Sequence, residues 1–200
     1  MFETTLHQVV QDRDGPSQIL SNGPIKADNP QKCYLGGGYY FWDDNFDLAK
    51  WYGNKYTSRS GNIIVCEASF KIDRGLMFDL VGSRQDQKKI LELIKTFWDV
   101  YWDKYHIGEE VENLELSVFI EMLYQEAEES EEIFFEYNCV RAVDISFDDD
   151  FSEYEHSIEK FVVEKPGFTV LSPKIIICIR DLKKAPLQTF LVKYPEHYVV

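Results

Sequence analysis

Three consecutive glycines, Gly36, Gly37 and Gly38, run straight into Tyr39-Tyr40-Phe41-Trp42, and Asp43-Asp44-Asn45 follow. Glycine has no Cβ, so its backbone takes positive φ or lets a flat ligand approach closely. An aromatic strand offers ring faces for stacking on a planar group. Asp43, Asp44 or Asn45 supplies a cap for a helix in which Phe46 and Ala49 share one face. Together these describe a nucleotide-sized pocket. The same spacing also describes a glycine-rich hairpin beside ordinary core aromatics, and the residues leave both readings open.

Other chemistry is sparse. His7, His106, His156 and His197 are scattered, with no pair at metal-binding helix spacing. Cys33, Cys66, Cys139 and Cys178 lie far apart, and the last three sit in apolar runs as small buried hydrophobes. Asp148-Asp149-Asp150 lacks the glycine and terminal glutamate of a calcium loop. No phosphate-loop lysine, dinucleotide fingerprint or serine elbow occurs, so no metal is expected.

The elements that must position the glycine segment follow from periodicity. Met1–Val10 reads as a first strand, and Pro16–Asn22 as a short helix closed by Gly23. Asn62–Phe70 reads as a strand in which Glu67 falls on the less apolar face. Beyond Gly82-Ser83, Ile90, Ile94, Phe97, Tyr101 and Tyr105 recur at helical spacing, joined by Leu91, Trp98 and Trp102. Leu116, Phe119, Ile120, Leu123, Tyr124 and Ala127 form the apolar face of a second helix, and the two stripes read as packing against each other. Cys139–Ile145, Phe161–Val163, Ile175–Ile179 and Thr189–Val192 read as later strands. The expectation is a single α+β domain over 1–200, with a helical acidic insertion at about 83–136.

The chain carries 35 acidic and 21 basic residues, a formal charge of −14. That field opposes non-specific nucleic-acid binding. Eleven glutamates and no Lys or Arg lie between Glu109 and Glu136, read as a solvated helix face or a surface for a basic protein partner. The amino-terminal residues lack the basic start and apolar core of a secretion signal, and no apolar run is long enough for a bilayer. A soluble, cytoplasmic protein with no membrane partner is the expectation.

The order of these blocks resembles the ADP-ribosyltransferase fold, nearest to bacterial members of the branch related to poly(ADP-ribose) polymerases. Gly38-Tyr-Tyr-Phe-Trp-Asp-Asp44 resembles that branch's Gly-x-Tyr-Phe block, followed by its helix with Ala49-Lys-Trp51. Phe2-Glu-Thr-Thr5 and Ile19-Leu-Ser-Asn-Gly23 resemble the first strand and the helix end after it. Ile64 to Leu80 resembles a strand running to an Asp-Leu segment. Cys139-Val-Arg-Ala142 and Ile175 to Asp181 resemble the late strands. The resemblance implies a split β-sheet core, NAD as substrate, and transfer of ADP-ribose to a macromolecular acceptor by a bacterial toxin or phage-defence effector. It implies Tyr40 as the ring that stacks on nicotinamide, with Gly38 and Tyr39 beside it and Thr4 and Thr5 as pocket hydroxyls. Two positions depart from the pattern. The first-strand histidine position holds Glu3, and the late acid or amide position falls near Lys174 or Ile176. The acid then comes from elsewhere, Glu164 or Glu67, or the chain is a catalytically inactive binding module on the same fold, engaging a nucleotide or a basic protein.

Overall fold

The computed structural model describes residues 1–27, 33–57, 62–105, 116–129, 134–144 and 173–199, with the side chains of the first long helix described as far as Phe97. Glu164, the strand expected at Phe161–Val163 and the Asp148–Asp150 segment lie outside the described residues. So do the side chains of Trp98, Tyr101, Trp102 and Tyr105.

Strand β1 (Phe2–Gln11) pairs antiparallel with β4 (Ile63–Ile72) across ten positions, from Phe2↔Ile72 to Gln11↔Ile63. Both segments are rich in β-branched and apolar residues, whose side chains fill both faces of a central strand. On its other side β1 meets β3 (Gly38–Asp43), but over only two pairs, Leu6↔Asp43 and His7↔Trp42. Beyond His7 the two strands part. Gln8 spans the gap, its amide nitrogen donating to the carbonyls of Ile25 (2.9 Å) and Tyr40 (3.3 Å) and its oxygen accepting from Ile25 N (2.7 Å). The two-residue β2 (Lys26–Ala27) then pairs with β3.

β3 continues into β7 (Ile175–Ile179), β7 into β6 (Cys139–Val143), and β6 pairs parallel with β5 (Met77–Asp79). At the other end β8 (Leu191–Tyr194) pairs with β4. The sheet is therefore mixed, in the order β5-β6-β7-β3-β1-β4-β8.

Strand alternation sends successive side chains to opposite faces and makes two cores. On one face α2 (Phe46–Tyr52), α3 (Arg84–Tyr105) and α4 (Leu116–Glu129) cover Trp42, Ile63, Val65, Phe78, Val140, Ala142, Ile176 and Cys178. The helices contribute Leu48 and Ala49, Leu93 and Phe97, and Phe119, Ile120 and Leu123. The rings of Phe97 and Phe119 meet edge to face, so the two apolar stripes read from the sequence do pack together. Each fully buried Phe, Leu or Ile contributes about 1.5–3 kcal/mol. The opposite face buries Leu6, Phe41, Ala68, Phe70, Ile177 and Ile179 under Leu182, Ala185 and Leu187, with α1 (Pro16–Asn22) adding Ile19 over Ile64 and Cys66. The α+β class expected from the sequence is the class observed.

Helix α2 starts where the sequence places it: Asn45 Oδ1 accepts from Leu48 N at 2.9 Å. The glutamate-rich face of α4 is not wholly solvated, since Glu126 is buried and Glu121 is half-buried in an ion pair. Among the described residues no helix is long and apolar enough to cross a membrane.

Candidate functional site

The glycine segment is held from three sides. Gly36 has φ +79°, the left-handed region that disfavours a side chain, and a Cβ there would lie 2.6 Å from Glu121 Oε1. Gly38 opens β3, where a Cβ would meet Cys178 Sγ at 2.5 Å and the Ile179 carbonyl at 2.8 Å. Here the missing side chain allows a close approach, but what approaches is β7, where the sequence reading expects a flat ligand. From above, Glu121 on α4 accepts from Gly37 N and pairs with Arg180 through both guanidinium Nη atoms, the second at 2.9 Å. Arg180 also donates to the Gly37 carbonyl at 2.9 Å and lies over the Tyr124 ring at 4.7 Å. Burial works against the charge on Arg180, but the Glu121 carboxylate outweighs it and holds its pKa above the ordinary guanidinium value.

Tyr40 closes this loop. Its Oη donates to the Gly36 carbonyl at 2.5 Å and accepts from Leu35 N at 2.8 Å. Burial, reinforced by the neighbouring Cys178, pushes the phenol far above its ordinary pKa, so it stays protonated as a hydrogen-bond donor. The ring packs against the helix-side core.

The four side chains expected around a cofactor divide between the two faces. Tyr40 and Thr5 belong to the helix side. Tyr39 packs in the opposite core with Leu6 and Phe41. Thr4 is also on that second face, its hydroxyl donating to Asp43 Oδ1 at 2.6 Å. The reason is the two-residue period: neighbours in one strand cannot share a face. Glu3 is exposed and pairs with Lys71 at 3.2 Å. Lys174, near the position where the family resemblance expects an acid or amide, is 5% exposed, with its ammonium 5.0 Å from the centre of the Trp51 ring.

Two further constellations emerge from the pairing. Arg141 on β6 donates through Nε to Asp43 (2.7 Å) and through Nη1 to Asp79 (3.1 Å), beneath the Phe2 ring. Asp79 Oδ1 also accepts from Val81 N and Gly82 N, at 3.0 and 2.9 Å. On the helix side, His7 Nε2 lies 3.4 Å from Glu67 Oε2, and Lys193 Nζ lies 3.1 Å from Glu67 Oε1. An isolated Arg in the apolar run Cys139-Val-Arg-Ala-Val143 is the sequence signal that marks the first. The second needs the β1–β4 register, which no local pattern supplies. Among the described residues no group of three or more His, Cys, Asp or Glu side chains could hold a metal ion.

No protein-family model, curated protein or solved structure matches this chain.

Proposed function

We propose that the protein is an NAD-dependent ADP-ribosyltransferase acting on a macromolecular acceptor, in the manner of a bacterial toxin or phage-defence effector in the cytoplasm. The observation that carries this reading is adjacency. The segments whose sequences resemble that fold, Phe2–Thr5, Gly38–Asp44, Ile64–Phe70 and Ile175–Ile179, fall on neighbouring strands β1, β3, β4 and β7. The sheet parts beside them, where β1 and β3 separate after two pairs. Tyr40 stands at this centre with a rigid half-buried ring, which suits a planar nicotinamide. Leaving of nicotinamide develops positive charge on the ribosyl group, which a fixed carboxylate stabilises.

The test is nicotinamide release from NAD by purified protein, with and without cell extract. Tyr40→Phe keeps the ring and should retain most of the release, whereas Tyr40→Ala should lose it, with circular dichroism checking that each variant is folded. Absence of release, and of any NAD-dependent label on cell components, sinks the reading.

Buried Lys174 favours a second reading, a non-catalytic module on the same fold that holds a nucleotide or a basic protein partner. NAD binding by calorimetry with no nicotinamide release would favour it over catalysis.

A further inference from the structure

Outside the glycine loop, the helix-side face of the sheet carries a cluster of titratable side chains where β1, β4 and β8 meet. His7 is 4% exposed, wedged edge-on against the Phe46 ring with centroids 5.7 Å apart. Among the described residues its Nδ1 is the buried side-chain nitrogen with no hydrogen-bond partner. Its Nε2 faces Glu67 at 3.4 Å, and Lys193 reaches the other Glu67 oxygen at 3.1 Å. Asp44, which acts on His7 electrostatically, has φ +47°, a left-handed conformation that is uncommon outside glycine. Its amide donates to the Thr5 carbonyl at 2.8 Å, which brings Thr5 beside the cluster.

This geometry has chemical content. Glu67 is 32% exposed, so a reacting group can reach it, while a buried imidazole and an ammonium fix its two oxygens. A His7 ring with its proton on Nε2 donates to Glu67. A second proton on Nδ1 would have no acceptor, so His7 holds the carboxylate without becoming a cation that would compete for its role. Orientation by a neutral N–H donor is what a carboxylate base requires.

We infer that Glu67, positioned by His7 and Lys193, is the proton acceptor for a hydroxyl-bearing acceptor molecule. This rests on the transferase reading above. In the step, the acceptor oxygen forms a bond to the ribosyl C1. The bond from C1 to the nicotinamide nitrogen breaks, and nicotinamide leaves neutral with the electron pair. The hydroxyl proton passes to Glu67 and then to water. A carboxylate acceptor carries no proton at neutral pH and needs no such base. The Lys193 ammonium beside Glu67 repels a guanidinium or ammonium acceptor, which leaves a neutral hydroxyl as the class that fits.

Glu67→Gln, His7→Gln and His7→Leu test it in the full chain, with NAD affinity measured by calorimetry alongside nicotinamide release in the presence of cell extract. Glu67→Gln should bind NAD within about twofold of the parent and lose release by about a hundredfold or more, the range of a removed general base. His7→Gln, which keeps a donor facing Glu67, should retain most activity. His7→Leu should lose it with NAD affinity kept. The ADP-ribose linkage should survive neutral hydroxylamine, which cleaves an ester. Nitrogen NMR of the ligand-free protein at neutral pH should find the His7 proton on Nε2. Unchanged release in Glu67→Gln, a hydroxylamine-labile linkage, or a His7 proton on Nδ1 overturns the assignment while leaving the transferase reading intact. A parent protein that cleaves no NAD, whether or not it binds it, overturns both.

Discussion

At the scale of single residues, close approach rather than ligand contact accounts for the glycine run. Gly38 sits where a methyl group would lie 2.5 Å from Cys178 Sγ and 2.8 Å from the Ile179 carbonyl. The sulfur could rotate away, but the carbonyl belongs to a strand held by pairing on both sides. Gly38→Ala should therefore separate β3 from β7 locally and destabilise the protein by about 1–3 kcal/mol, the usual cost of overpacking. Urea unfolding measures it, and a loss under about 0.5 kcal/mol would show that the strands yield freely. Tyr40 follows the same logic. Tyr40→Phe strips the Leu35 amide of its acceptor and the Gly36 carbonyl of its donor, which should cost about 1–3 kcal/mol. That cost is separate from any effect on activity.

At the scale of elements, charge does the joining that apolar packing cannot. Arg141 links β6 to the end of β3 through Asp43 and to the end of β5 through Asp79, with the three side chains 14%, 5% and 6% exposed. Arg141→Leu leaves two nearly buried carboxylates without their cation, which should cost about 3–5 kcal/mol. Urea unfolding of variant and parent measures it, and a loss under about 1 kcal/mol would show that packing rather than the paired charges holds this joint. His7 gives a pH effect. Burial lowers its pKa against the opposing pull of Glu67 and Asp44, with Lys193 acting in the same sense as burial. The unfolded chain then binds a proton that the folded one refuses. The His7 contribution is complete above its unfolded value of about 6.5 and is lost as pH falls below it towards the folded value. Between those limits, stability of the parent relative to His7→Gln should fall with a slope of up to about 1.4 kcal/mol per pH unit. Parallel stability curves for the two proteins from pH 8 to 5 would contradict this. These joints also mark what the sequence left hidden. Alternation in Asn62–Phe70, the Asn45 cap and the apolar face of α4 are local and were legible. The Glu121–Arg180, Arg141–Asp79 and His7–Glu67 pairs span from 59 to 62 residues, and only the folded register brings them together.

At the scale of the whole molecule, stability should be concentrated in the β1–β4 ladder, which carries His7 and Glu67, rather than in the seam between β1 and β3. β1 and β4 share ten pairs, and Leu6, Ile64, Val65, Cys66, Ala68 and Phe70 are fully buried between the two cores. Burial alone pushes the Cys66 thiol up to about 12, which fits a side chain packed as a hydrophobe at the centre of the sheet. By contrast, β1 holds β3 through two pairs and the Gln8 side chain, so this seam opens at lower cost than either flanking ladder. Amide exchange follows the cheapest opening that frees each hydrogen bond. The Ile64, Cys66, Ala68 and Phe70 amides, which face β1, should therefore exchange slowest, at the rate of global unfolding. Tyr39 should also be protected through β7, while Asp44 N, whose acceptor is the Thr5 carbonyl across the seam, should exchange by a smaller opening. If NAD binds where the strands part, it should slow Asp44 more than these four β4 amides. Equal slowing of both would mean that the ligand stabilises the sheet as a unit, and that the seam is an ordinary part of the core.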